Sequence, residues 1–303
     1  MKIESPSVKV KNRGKVFFPV EKITKGDLID YYEKIADLFL PFLKNRPLSL
    51  NRFPDGITAE GFYQKQVPDY FPDWMDTVEI EKKEGDTNTQ IVCNNTATLI
   101  YLANQGTVSF HPWLSTTHDL QKPDKLVFDL DPPQGNFEIV IKGAKNLRTL
   151  LDEKLGLNAF LMTTGSKGLH VACPIKPENK FEYVRDFAKQ VANFLAEKDP
   201  DTFTVETRKD QRKGRLFIDY LRNAYAQTSI PPYSVRAREG APVATPLGWD
   251  ELDKDGLHSQ TYTIKNIFRR LSHKDDPWNS FNEKATKLEN SIEKLRKVVE
   301  DTQ

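Results

Sequence analysis

The 303-residue chain contains no apolar run near the roughly 18 residues that a membrane-spanning helix requires. Its opening, MKIESPSVKV, lacks the apolar centre of a secretory signal. Together these absences predict a cytoplasmic protein with no membrane partner. Only two cysteines are present, Cys93 and Cys173. They are too few and too far apart for a disulfide framework or a zinc site of their own, and both are read as buried small hydrophobes. There is no internal repeat and no Gly/Ser or Gln/Asn tract, and with 38% hydrophobic and 29% charged residues the composition excludes a disordered chain. An excess of one charge is lacking too, since the formal net charge is +1. Any attraction to a polyanion must therefore come from local density.

That density exists in two places. Residues 1–25 carry Lys2, Lys9, Lys11, Arg13, Lys15, Lys22 and Lys25 against Glu4 and Glu21, and residues 208–222 add Arg208, Lys209, Arg212, Lys213, Arg215 and Arg222. As charge runs they are equally consistent with solvated surfaces. An early helix is marked by Thr24 as cap and Asp27 three residues on. Leu28, Tyr31, Tyr32, Ile35, Leu38 and Phe39 follow at helical spacing, and Pro41 and Pro47 bracket the end. From about 48 to 112 the pattern shortens to strand-like GFYQK, DTVEI and TVSF with a helix across NNTATLIYLANQ, which reads as an α+β lobe. Next come the strands KLVFDLDPP, AFLMT, LHVACPI and RLFIDYL, with helices near 137–155 and 180–197. After a Pro-rich stretch beyond 225, Leu288, Ile292, Leu295 and Val299 form one apolar stripe expected to pack on the body.

Chemistry concentrates on three of these pieces. In a strand, positions i and i+2 point the same way, so Asp129 and Asp131 are neighbours on one face. Two adjacent carboxylates repel unless a cation lies between them, and an all-oxygen site suits Mg²⁺ or Mn²⁺. Asp219 sits in an otherwise apolar strand, where a carboxylate needs a positive partner. That partner is either Arg215 or Arg222 in a structural salt bridge, or the ion that Asp129 and Asp131 hold. Thr163-Thr164-Gly165-Ser166-Lys167-Gly168-Leu169-His170 offers close backbone approach and donors matching a triphosphate, without the spacing of a Walker loop. In the first lobe, Lys15, Lys25, Arg52 and Lys65 are candidate phosphate contacts and Phe62-Tyr63 a candidate stacking platform. His111, ahead of Pro112 and Trp113, reads either as a core histidine or as a ligand contact.

In series, VFDLDPP, TTGSKGLHV, FIDYLRN and SVRAR resemble the motifs of the polymerase domain of bacterial and archaeal ligase D, of the archaeo-eukaryotic primase superfamily, which serves non-homologous end joining. GKVFFP, TKGDLIDYY, GFYQKQ and SFHPW extend the likeness to about residue 252. The resemblance implies an α/β (α+β) fold: a primase-like catalytic core at 113–255, an N-terminal α+β lobe at 1–112 that contacts DNA, and a C-terminal helical segment at 256–303. It implies that Asp129, Asp131 and Asp219 hold two ions, Mn²⁺ or Mg²⁺, and that Thr164, Ser166, Lys167 and His170 surround the nucleotide. Arg212 and Arg236 match positions that hold the triphosphate, and His111 one near the substrate. Lys15 and Lys25 match residues that grip a 5′-phosphate, and Phe62-Tyr63 an aromatic pair that places template bases, with Tyr63 standing where the family pattern can carry Phe. Arg222 stands where relatives can carry an uncharged polar residue.

The expected function is a stand-alone DNA-repair polymerase, since no KxDG ligase motif is present, that adds NTPs or dNTPs to DNA 3′ ends at overhangs or short gaps bearing a 5′-phosphate. Ku and a separate ligase follow as partners and a nucleoid-associated location as the setting. An acidic triad alone does not separate attack by a primer hydroxyl from attack by water. A two-metal nuclease and a non-catalytic DNA-end-binding module therefore stand as alternatives, and a strict primase differs only in starting without a primer.

Overall fold

The computed structural model describes residues 7–81 and 85–301; Lys2 and Glu4 of the first basic stretch lie outside the described residues. The first long helix, Lys25–Leu43, starts as its capping residues dictate. The Thr24 hydroxyl accepts the Asp27 amide at 3.1 Å, and the Asp27 carboxylate accepts the Thr24 amide at 2.7 Å. Leu28, Tyr31, Tyr32, Ile35 and Phe39 form its buried face. Pro41 does not end this helix but lies inside its last turn. Its ring crowds the carbonyl four residues back, at Asp37, and both residues face solvent, so the distortion disturbs no packing.

Three strands, in the order Phe62–Gln64, Leu48–Arg52, Thr107–Pro112, make an antiparallel sheet beside this helix. The NNTATLIYLANQ segment is the helix Thr96–Asn104, whose Asn95 side chain accepts the Thr98 amide. A hairpin of Thr77–Glu81 and Thr87–Ile91 completes the lobe.

The larger sheet has six strands, in the order Phe203–Thr204, Leu216–Asp219, Lys125–Asp131, Leu169–Pro174, Phe160–Thr163, Thr245–Leu247. Only the first pair is parallel. Alternation along the central strand divides the two cores. Leu126, Phe128 and Leu130 point to a face covered by the helices Phe137–Arg148, Phe181–Lys198 and Leu288–Glu300, where they meet Val140, Phe187 and Leu295. Val127, Met162 and Ala172 point the other way, into a core shared with Leu50, Phe110 and Tyr233. Each such buried Leu or Phe contributes about 1.5–3 kcal/mol. Because this second face is covered only in part, the strand positions beyond Val127 open onto a cleft between the sheets.

Cys93 and Cys173 are both free and buried. Leu288 and Leu295 are buried, with Ile292 and Val299 packed against the same core, as the apolar stripe predicts. Elsewhere the C-terminal segment is mostly irregular: Trp278 and Phe281 stack at 4.7 Å and pack edge-on against Phe42 and Phe160. Among the described residues, no helix is long and apolar enough to cross a membrane.

Candidate active site

Register, rather than proximity in sequence, assembles the site. Asp129 pairs with Asp219 on one neighbouring strand and with His170 on the other. Directly opposed residues share a face, and Asp131 shares it through the two-residue period. Three carboxylates and one imidazole therefore project from one face of the six-stranded sheet. The three-stranded sheet supplies the facing wall by the same logic. Ser49 pairs with His111 and Asn51 with Tyr63, so these four project together. Between the walls lies a cavity of about 450 Å³ that Asp129, Asp131, His170, Tyr63 and His111 line, with Lys65, Thr164, Ser166, Arg222 and Arg236.

The charges are arranged unevenly. His170 Nε2 lies 3.3 Å from Asp129 Oδ1, and Arg222 Nε lies 3.5 Å from Asp129 Oδ2. Burial pushes the Asp129 carboxyl up, but His170, Arg222 and Arg236 outweigh it and hold the group below the usual carboxylate range. Asp131 and Asp219 are instead raised, first by burial, and Asp129 adds its negative charge to both. Asp219 Oδ1 accepts the Leu221 amide at 2.7 Å. Neither arginine forms the simple salt bridge with Asp219 that a structural reading requires: Arg222 stands on Asp129, while Arg215 donates to the carbonyls of Arg212, Pro200 and Gln211.

A divalent cation fits this donor set in chemistry: three hard oxygen donors share one face, and two of them carry charge at a cost that a cation would relieve. Among the described residues, no three or more His, Cys, Asp or Glu side chains are gathered tightly enough to hold an ion as they stand.

The Gly-Ser-Lys-Gly turn is set between the central strand and the 236–244 segment. Gly168 packs so closely on the central strand that a Cβ there would meet the Leu130 carbonyl, 2.7 Å from its carbon and 3.1 Å from Asp131 Cα. Gly165 has φ +64°, and a Cβ would lie 2.9 Å from Arg236 Cγ. Ser166 lines both the carboxylate cavity and a second cavity of about 350 Å³ on the outer side of the turn, whereas Lys167 lines only the second, still close enough for its charge to lower Asp131. His111 is buried, and its Nε2 has no hydrogen-bond partner. Burial, with the charges of Arg236, Arg222 and His170, pulls it down to about 3, so its imidazole is neutral. A buried, unpaired ring nitrogen in a residue that lines a cavity is costly unless a small shift of the ring lets something entering the cavity pair with it.

The remaining predicted residues divide. Tyr63 is 60% exposed at the cavity mouth, with its ring 5.6 Å from that of His111. Phe62, 47% exposed, projects from the other face of the same edge strand. Arg52 is buried, and its donors are committed to Gln105 O, Gln64 and the Tyr70 hydroxyl, with its guanidinium 5.3 Å from the Phe62 ring centroid. It holds the Phe62 strand in place from beneath. Lys15 and Lys25 adjoin one another away from the cavity: the Lys25 amide donates to Lys15 O at 2.7 Å, and burial and the Lys15 charge lower the Lys25 ammonium. Lys15 also pairs with Asp55. Arg212 lies with its guanidinium 4.0 Å over the Phe217 ring and donates to Glu206 O and Thr207 O, outside the cavity lining but close enough for its charge to lower Asp219. Sequence reasoning missed Ser49, Thr228, Ser229 and Ile230 in the lining. Ser49 alone had a signal, the strand alternation that carries it to the same face as Asn51.

A family model described as LigD, primase-polymerase domain, matches residues 24–278. The bifunctional non-homologous end joining protein LigD of Bacillus subtilis is 34% identical over 278 residues, which cover 91% of this chain and 44% of that protein. The multifunctional non-homologous end joining protein LigD of Pseudomonas aeruginosa is 33% identical over 286 residues, covering 89% of this chain and 32% of that one. The chain thus spans less than half the length of these curated relatives. A solved structure of the polymerase domain of Mycobacterium tuberculosis ligase D in complex with DNA superposes with a TM-score of 0.85 at 29% identity, covering 92% of this chain and 99% of that one. On this match in sequence and in fold, the chain belongs to the LigD primase-polymerase domain family of metal-dependent nucleotidyltransferases.

Proposed function

We propose that this chain is a DNA-repair polymerase of non-homologous end joining that adds NTPs or dNTPs to a DNA 3′ end, at overhangs or short gaps with a 5′-phosphate. One observation carries the reading: Asp129 is in register with both Asp219 and His170, which sets three carboxylates on one sheet face, and Asp129 and Asp131 line a cavity with Ser166 of the turn and with Tyr63 and His111. Asp129, Asp131 and Asp219 are the residues to hold Mn²⁺ or Mg²⁺ as two ions. When bound, such ions supply the positive charge that activates a 3′-hydroxyl and neutralises a leaving pyrophosphate.

The chain's own residues do the rest. The Ser166 hydroxyl, Lys167, His170 and Arg236 surround the triphosphate, with Thr164 shaping the turn and Arg212 reaching it from the Phe217 side. Neutral His111 offers its free ring nitrogen to the sugar. Tyr63 receives a base at the cavity mouth, Phe62 and Lys65 extend that surface, and Arg52 supports it. Lys15 and Lys25 form a compact cationic pair for the 5′-phosphate of a gap. In this division residues 1–112 contact DNA, 113–255 carry the chemistry and 256–303 close the body. A role in non-homologous end joining suggests Ku and a ligase as partners and a nucleoid-associated setting.

The test is extension of a labelled primer across a short gap with a downstream 5′-phosphate, with NTPs or dNTPs and Mn²⁺ or Mg²⁺, beside an Asp129→Ala/Asp131→Ala variant. Growth of the primer with wild type alone supports the polymerase. Shortening of the primer points to a nuclease, and end binding without any synthesis points to a binding module.

A further inference from the structure

We propose that Ser259, assisted by Gln260, is a positioning residue that clamps the Gly-Ser-Lys-Gly turn from outside and presets it for a nucleotide's phosphates; this rests on the nucleotide-binding reading of that turn. The turn is short and must present the Ser166 hydroxyl and Lys167 in one geometry. Part of that geometry is internal. The Thr164 amide donates to Gly168 O at 3.0 Å, the Thr164 hydroxyl oxygen lies 3.1 Å from that carbonyl, and the same oxygen accepts the amides of Ser166 and Gly168 at 3.3 Å. Four contacts closing on one threonine hold a loop, but three of them are long, and none reaches beyond the turn.

Ser259 supplies the external half. Its hydroxyl donates to Gly168 O at 2.9 Å, accepts the Ser166 amide at 3.2 Å and lies 3.1 Å from the Thr164 hydroxyl. A hydroxyl has one proton and two lone pairs, so with the Thr164 proton turned to Ser259 rather than to the carbonyl, Ser259 donates to Gly168 O and accepts from both Ser166 and Thr164. The Gln260 side-chain amide donates to Ser166 O at 2.7 Å. Ser166 is thereby held at its amide and at its carbonyl by residues more than ninety positions away. Ser259 is 3% exposed, and it is presented by a turn closed on itself, in which His258 N–H donates to Thr261 Oγ1 at 2.9 Å and Gln260 N–H to His258 Nδ1 at 3.2 Å. It lies on the outer cavity, with Lys167 and His258, and is absent from the lining of the carboxylate cavity. It therefore acts through the turn and touches neither carboxylates nor a nucleotide bound among them.

The experiment compares wild type with Ser259→Ala, Ser259→Thr and the milder Gln260→Ala. It reads steady-state nucleotide addition, DNA-end affinity, and backbone hydrogen exchange over residues 164–168. Loss of the clamp in Ser259→Ala is expected to raise the nucleotide KM about tenfold, the equivalent of one or two hydrogen bonds. The turnover number should stay within about threefold and DNA-end affinity should be unchanged, with faster exchange confined to the turn. Ser259→Thr, which keeps the hydroxyl, should recover most of the KM, and Gln260→Ala should move KM and exchange in the same direction by less. Unchanged KM and exchange in both alanine variants, or a lower Tm with those two unmoved, would overturn the proposal. If wild type neither binds nor adds nucleotides, the function proposed above falls instead, and the exchange data still decide whether Ser259 holds the turn.

Discussion

Replacing Gly168 with alanine tests whether the Gly-Ser-Lys-Gly turn and the Asp129–Asp131 strand form one rigid unit. The new Cβ would fall on the Leu130 carbonyl oxygen, with the Leu130 carbon at 2.7 Å and Asp131 Cα at 3.1 Å. All three obstacles are backbone, so no side-chain rotation relieves them, and turn and strand must separate by roughly 1 Å. Overpacking of this kind costs about 2–3 kcal/mol, which for a chain of this size lowers Tm by roughly 3–5 °C. The same displacement moves Ser166 and Lys167 away from Asp131, and a misplacement of about 1 Å costs on the order of 10²-fold in rate. The assay is thermal unfolding by circular dichroism, paired with single-turnover nucleotide addition normalised to folded protein. Gly14→Ala, where no atom lies within 4 Å of the added Cβ, is the control and should stay within about 0.5 kcal/mol of wild type. A Gly168→Ala protein with wild-type Tm and a rate within about twofold would refute the reasoning.

Other expectations follow from the same geometry. Asp131 has its carboxyl raised in the folded state by burial and by Asp129, so its ionised form opposes folding: stability it contributes when protonated is lost as pH rises. Asp131→Asn should therefore raise Tm at neutral pH while abolishing primer extension, and a lower Tm would contradict this. His111, pulled down to about 3 from near 6.5, should remain neutral at pH 5 in ¹⁵N histidine spectra assigned with a His111→Gln variant, and a titration midpoint near 6.5 would sink the assignment. Because the unfolded chain protonates this histidine first, its contribution to stability is lost as pH falls through that window. Glu251 is fully buried, with Arg270 on both oxygens at 2.6 and 2.7 Å and Lys254 and Lys274 at 3.0 and 3.1 Å. Glu251→Gln strands the buried Arg270 guanidinium, while Lys254 and Lys274 stay solvated, and should cost about 3 kcal/mol in urea unfolding, with a loss under about 1 kcal/mol counting against the network.

Much of this was legible in the sequence wherever the deciding interaction is local. The Thr24–Asp27 capping box lies within four residues, and the shared face of Asp129 and Asp131 follows from strand alternation alone. The apolar stripe of Leu288, Ile292, Leu295 and Val299 is likewise visible as a period. What sequence could not supply is register between distant strands. Asp219 meets Asp129 across ninety residues, and no pattern in FIDYL says which of its neighbours it opposes. Arg52 looked like a free cation because charge is visible in sequence and burial is not; the carbonyl of Gln105 and the Tyr70 hydroxyl consume its donors. Ser259 was unreadable for the same reason, since a lone serine between His258 and Gln260 carries no signal until the chain folds back on the turn. The likeness to a family named the carboxylates and the turn, but it did not show that Asp129 alone is held by His170 and Arg222 while its two neighbours strain against it.

Nucleotidyl transfer at the Asp129, Asp131 and Asp219 face leaves two products that can be counted. Its most direct test is a single-turnover experiment that counts pyrophosphate released against nucleotides added to a labelled primer, with Mn²⁺ present and with it removed by chelation. The account predicts one pyrophosphate for each nucleotide added, and neither product after chelation or in Asp129→Asn. Primer growth that survives Asp129→Asn, or pyrophosphate released without primer growth, would contradict it.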